Sequence, residues 1–181
     1  MRTGTYVLVG ILAAATWWLA SRGSRPVSAT YHRPPSPGYY FKDATLTETD
    51  ASGKISLTLL TRTAQQNPDT RLIQLRDINV NYQTQDDARW NLTADEGSMP
   101  TGANLLTLRG HVVMNALGGS VGGAVIRTDT LSLDRSHHVA STASPATIEW
   151  APHQLSARGF RLDLTRQTLE LENAVHGTFR R

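Results

Sequence analysis

The sequence predicts an all-β domain of sandwich or jelly-roll type, preceded by a single amino-terminal membrane helix. Three observations carry that expectation. Runs with apolar residues at every second position recur from residue 44 onward, the period of a strand wet on one face. Turn-forming clusters punctuate these runs at roughly 8 to 12-residue spacing, as in sandwiches and barrels. No amphipathic helix of useful length follows the tether, whereas the first 22 residues hold a long uncharged stretch.

The run from Tyr6 to Ala20, YVLVGILAAATWWLA, is continuously apolar or small. As a helix it is about 28 Å long, close to the thickness of a bilayer's hydrocarbon layer. Trp17 and Trp18 stand where an aromatic belt belongs, followed by Arg22 and Arg25. A cleaved signal peptide is the competing reading, but its small-residue site, Val27-Ser28-Ala29, lies well past the apolar end. Residues 1–22 are therefore read as an uncleaved anchor with its short amino terminus in the cytoplasm. Residues 23–38, with Pro26, Pro34, Pro35 and Pro37, form an extended tether. Residues 39–181 form the β domain.

Within it, strands are expected at 44–49, 54–63, 72–83, 89–94, 105–117, 125–134, 139–141, 147–150, 154–164 and 168–179. The centre is the hairpin from Trp90 to Leu117. Trp90, Leu92 and Ala94 share one face, GSMPTGAN (residues 97–104) reverses the chain, and Leu106, Leu108, Val112, Met114 and Ala116 return on the same face. Gly110 interrupts that face as a bulge would. Comparable units begin at Ala94-Asp95, Thr128-Asp129 and Arg158-Gly159, each followed by paired leucines. Stacked strand pairs of this kind give an elongated sheet with two open ends.

Composition narrows the chemistry. There is no cysteine, which excludes disulfides and thiolate metal sites. A net charge of +3 and a pI near 9.6 suit an anionic partner. The arginines are scattered without aromatic interleaving, so an anionic lipid or glycolipid fits better than nucleic acid. Gly118-Gly119-Ser120-Val121-Gly122 matches the nucleophile elbow G-x-S-x-G, yet a strand rather than a helix is expected after it, so it reads as a hairpin loop. His32, His111, His137, His138, His153 and His176 form no metal-ligand spacing and are read as surface histidines. Asp86-Asp87 and Asp95-Glu96 flank a strand at polar turns, as solvated acids do. No nucleotide loop is present, and neither a cofactor nor a metal is expected. The chain is expected not to be an enzyme; a hydrolase or lyase using Ser120 or the paired acids is the minor alternative.

What stands out is the apolar set. Leu57, Leu59, Ile78, Val80, Trp90, Leu92, Leu106, Leu108, Val112, Met114, Leu131, Leu133, Ile148, Trp150, Leu155, Phe160, Leu162, Leu169, Leu171, Val175 and Phe179 are all expected to point one way. They line either a closed core or a cleft that admits an acyl chain, and the pattern leaves both open.

The order of features resembles the LptC family, the membrane-anchored periplasmic component of lipopolysaccharide export. The resemblance covers nearly the whole chain. Its most specific part is Trp90-x-Leu92-x-Ala94-Asp95, a turn, then Leu106-x-Leu108-x-Gly110-His111-Val112-x-Met114-Asn115-Ala116. Thr128-Asp129 with Leu131-x-Leu133, and Leu155-x-Ala157-x-Gly159, also fit, and Tyr82 more loosely. Gln154 departs from the pattern where some relatives carry glycine. The resemblance implies an OstA-like, twisted, V-shaped β-jelly roll open along one side, with lipopolysaccharide acyl chains in the groove. It also implies an inner-membrane protein with its β domain in the periplasm. The amino-terminal edge would continue the sheet of LptF in the LptB–LptF–LptG transporter, and the carboxy-terminal edge would receive the bridge protein LptA. The alternative of another class is a tethered scaffold that links envelope proteins without binding lipid.

Overall fold

The computed structural model describes residues 38–84, 88–119 and 121–178. The expected anchor, nearly all of the tether, His32, Asp86, Asp87, Ser120 and Phe179 lie outside the described residues. The described chain forms nine strands: β1 (Tyr40–Thr49), β2 (Ile55–Asn67), β3 (Leu72–Gln83), β4 (Arg89–Pro100), β5 (Leu105–Ala116), β6 (Val125–Asp134), β7 (Val139–Trp150), β8 (His153–Asp163) and β9 (Thr168–Thr178). They make one antiparallel sheet in sequence order, β1 to β9, and there is no helix among the described residues. The all-β expectation holds, and the sheet is jelly-roll-like.

Several boundaries differ from expectation: β1 begins at Tyr40 rather than at 44, and β2 runs on to Asn67 rather than ending at 63. β4 continues through Gly97 to Pro100, so only residues 101–104 turn the chain. Gly97 is needed there for space rather than for a turn: a Cβ on it would lie 2.5 Å from Ile78 Cδ1 and 3.2 Å from the Thr107 carbonyl. The two short runs at 139–141 and 147–150 are one strand, β7, despite Pro145. Proline is tolerated because it sits where the β6–β7 ladder is already interrupted, between Thr128↔Ala146 and Ser132↔Ser141.

That interruption belongs to a seam crossing the sheet. At one level the pairing skips Arg62 and Asp77, then Asp77 and Asp95, then Gly110, His111 and Asp129, and later Gly159. Backbone here repeatedly enters the left-handed region, at Asp43, Asp77, His111 and Ala174 as well as at Gly110 and Gly159. Such positions bend a strand and increase its twist. In β4 the inward set changes parity across the seam, from Trp90, Leu92 and Ala94 to Gly97. The internal repeat now has its cause. Ala94-Asp95, Thr128-Asp129 and Arg158-Gly159 are the points where β4, β6 and β8 cross the seam.

Bent at this line, each long strand contributes to two facing halves. Residues of both halves join one apolar cluster, from Leu57 and Trp90 on one side to Leu106 and Leu162 on the other. Hydrogen bonds link the free rims of the halves. Trp90 Nε1 donates to the Leu164 carbonyl at 3.3 Å, and Val121 N donates to Gln167 Oε1 at 3.3 Å. Glu48 pairs with Arg135, and Tyr82 with His138. The halves are offset, since β1 meets the turn beyond β6 and β4 meets the turn beyond β8.

The turns on the second rim share one construction. Asn67, Asp134 and Asp163 each accept two following backbone N–H groups through Oδ1. Four residues on, Arg71, His138 and Gln167 take φ of 54°, 54° and 55°.

Candidate functional site

The candidate site is the apolar interior between the halves. It exists because inward positions are apolar, from Leu, Val and Ile to Ala, Trp90 and Phe160, with Thr61, Thr84, Thr128 and Thr142 the buried polar residues among those described, while the polar partners at alternate positions face water. Of the expected set, fifteen residues belong to the buried core: Leu57, Leu59, Ile78, Val80, Trp90, Leu92, Leu106, Leu108, Val112, Met114, Leu131, Leu133, Ile148, Phe160 and Leu162; Leu155, Leu169 and Leu171 pack against it half-buried.

 Trp150 and Val175, expected on the inward face, are 50% and 48% exposed. Both stand near the far ends of their strands, where the opposite half no longer covers them.

The interior is closed in its middle and open at two places. Leu92, Leu108, Leu133 and Phe160 have no exposed surface. Near β1, Phe41, Leu46, Ala64, Ile73, Leu75 and Met99 line a mouth of about 290 Å³. Near β8 and β9, Ile148, Trp150, Leu155, Leu162, Leu169 and Leu171 line a second, of about 320 Å³. The offset of the halves accounts for both, because it leaves the first strands of one half and the last strands of the other partly uncovered.

Alternation alone did not single out Phe41, Leu46, Ile73, Leu75 and Met99. Phe41 and Leu46 lie on an edge strand, and Leu75 and Met99 lie beyond the seam, where the inward parity shifts by one. Tyr39 and Phe41 stack with ring centroids 6.4 Å apart at the start of β1. Val121 and Ala124 also line the second mouth. They come from the glycine-rich loop whose G-x-S-x-G match leads into strand β6, as a hairpin loop does.

Polar groups gather at the rim, not in the interior. Tyr82 is buried with its hydroxyl on His138 Nδ1, and burial pushes its pKa up to about 12, with Glu48 adding to the effect. His138, expected on the surface, is thus half-buried and partnered. The Arg135 side chain is 11% exposed. It reaches Glu48, and donates from Nη2 to the Ala103 carbonyl at 2.8 Å, while its Nε has no partner among the described residues.

The remaining candidates for chemistry are separate. Asp95 Oδ2 meets His111 Nδ1 at 2.6 Å on the outer side of the seam, and Glu96 pairs with Arg76 at 3.5 Å. Asp134 Oδ2 lies 2.7 Å from His137 Nδ1 in the turn. Among the described residues, no group of histidines and carboxylates is arranged to hold a metal ion.

The family model described as lipopolysaccharide-assembly, LptC-related, matches residues 6–180. No curated protein matches the sequence. The matched range takes in the whole nine-stranded sheet and the apolar interior, and on it the chain belongs to the LptC-related family of lipopolysaccharide assembly, with a role in lipopolysaccharide transport.

Proposed function

We propose that the domain shelters lipopolysaccharide acyl chains in its apolar interior and passes them on, leaving the sugar and phosphate head in water. The observation that carries this reading is the pair of apolar mouths at opposite ends of one continuous apolar cluster. Each methylene taken from water contributes about 0.8 kcal/mol, so a few chains suffice for binding without any polar recognition. The groove would be formed by the inward set from Leu57 to Phe179, with Trp150 and Val175 at its open end.

In this reading the first 22 residues hold the protein in the inner membrane and the β domain stands in the periplasm. The lipid arrives from the LptB–LptF–LptG transporter at the β1 edge and leaves to LptA at the β9 edge. Both edges of the sheet are open to strand addition, since β1 and β9 each pair on one side only. The direction of transfer comes from ATP hydrolysis in the transporter. No residue performs covalent chemistry.

The test is photocrosslinking with a probe placed in turn at Leu108, Met114 and Leu133, and at outward Arg109 as control. Adducts with lipopolysaccharide from the three inward sites alone support the reading. Silence at all three in a folded, anchored protein would sink it. The second reading, a scaffold with a permanently closed core, is favoured by the absence of any exposed surface on Leu92, Leu108, Leu133 and Phe160. The same silence would support it.

A further inference from the structure

A lipid with several acyl chains and a large polar head cannot thread end-on through an interior whose middle is closed. Its chains have to enter sideways, so that the head never leaves water. The side available is the rim opposite the seam, because along the seam every strand is covalently continuous. Among the described residues, four polar contacts cross that rim: Glu48 with Arg135, Tyr82 with His138, Trp90 with the Leu164 carbonyl, and Val121 with Gln167. The first two join side chain to side chain at its β1–β3 end. Such bonds exchange for water at small net cost, and the apolar packing of Tyr82 and Trp90 beside them is exchanged for contact with the entering acyl chains. The opposite side has the backbone of a bend, with left-handed residues at Asp77, Gly110 and His111 where the ladder is interrupted.

We infer that the Glu48–Arg135 and Tyr82–His138 contacts are a latch, and the seam its hinge, so that lipopolysaccharide is loaded through the parted rim. This rests on the lipid-sheltering reading above. Opening the rim uncovers Trp90 and the leucines behind it to an approaching chain, and closing it completes the apolar enclosure.

The chain has no cysteine of its own, which permits a direct test in the full-length membrane-anchored protein. Tyr82→Cys/His138→Cys is joined by a bismaleimide whose spacer contains a reducible disulfide, with a photoreactive residue in place of Leu133. Lipopolysaccharide vesicles are the probe. The bridged protein is expected to lose at least tenfold in adduct yield, and reduction of the spacer to restore the unbridged level. Restoration also shows that the loss was not misfolding. Equal labelling before and after bridging would overturn the latch while leaving the lipid-sheltering reading intact. No labelling in either the native or the unbridged protein would overturn both. A second variant needs no reagent: Glu48→Gln/Tyr82→Phe is expected to load at least threefold faster than the native chain. A native loading rate in that variant would count against the latch.

Discussion

The indole N–H of Trp90 donates to the carbonyl of Leu164 at 3.3 Å, joining β4 to the turn that follows β8. Both residues are buried. The bond lets an aromatic ring fill the interior while its one polar atom is satisfied by the opposite half. It is also a cross-brace, because nothing in the sheet ladder connects these two elements.

Trp90→Phe should therefore cost about 2 kcal/mol, from the orphaned Leu164 carbonyl together with lost ring volume. Trp90→Ala should cost about 3 to 5 kcal/mol. Urea unfolding measures both. A neutral Trp90→Phe would mean that the bond contributes nothing and that water serves the carbonyl equally well.

Gly97 and Ile78 make a second test of packing. Alanine at 97 would put its Cβ 2.5 Å from Ile78 Cδ1, and this isoleucine is buried with little room to move. Gly97→Ala is expected to destabilise by about 1 to 3 kcal/mol. Ile78→Val removes the clashing methyl and alone costs about 1 kcal/mol. The double variant should be clearly more stable than the sum of the two predicts. Simple additivity would show that the Thr107 carbonyl, 3.2 Å away, is the real obstacle.

Much of this fold was legible because period-two alternation survives on both sides of the seam. The paired leucines Leu106 and Leu108, and Leu131 and Leu133, are inward as their spacing requires. Of the seam, only the bulge at Gly110 was readable, and the β5–β6 register does shift there; elsewhere a bulge shifts parity without any fixed residue signature. Gly97 therefore read as part of a turn, although it packs within a strand, and Leu75 was passed over. The repeat at Ala94, Thr128 and Arg158 was visible, but its meaning needed the registers of β4, β6 and β8 side by side. Within the candidate site, the inward residues were readable and their degree of cover was not. Trp150 lies on the right face yet is half exposed, because cover depends on how the halves are offset. The His138 contact joins distant parts of the chain and had no local signal.

His111 offers a pH test of the seam. Its hydrogen bond and charge interaction with Asp95 raise its pKa above the ordinary 6.5. A raised folded-state value means that the pair's contribution is full below about pH 6.5 and is lost as pH rises through the folded pKa. The imidazole is fully solvent-exposed, so the effect on stability is small and the titration itself is the better readout. NMR of the ring protons should give a midpoint above 6.5, and Asp95→Asn should lower it. An unchanged midpoint in Asp95→Asn would assign the shift to other charges.

The shared turn yields the last prediction. Arg71 holds φ of 54° after an Asn67 side chain that accepts the N–H groups of Asp69 and Thr70. A side chain in that left-handed region costs about 1 kcal/mol, and glycine escapes most of it. Arg71→Gly should raise stability by about 0.5 kcal/mol, the gain being reduced by glycine's greater freedom in the unfolded chain. The Arg71 carbonyl still accepts from Thr101 N and Oγ1, both at 2.8 Å, so no contact is given up. Arg71→Val, with a branched Cβ in the same conformation, should instead lose about 1 kcal/mol or more. His138 and Gln167 occupy the equivalent place in their turns but also bind across the rim. Glycine at either should therefore gain backbone freedom from strain and lose a side-chain contact. Urea midpoints for the three glycine variants separate the two contributions: stabilisation at 71 together with destabilisation at 138 supports both, whereas equal gains at all three would show that the rim contacts add nothing to stability.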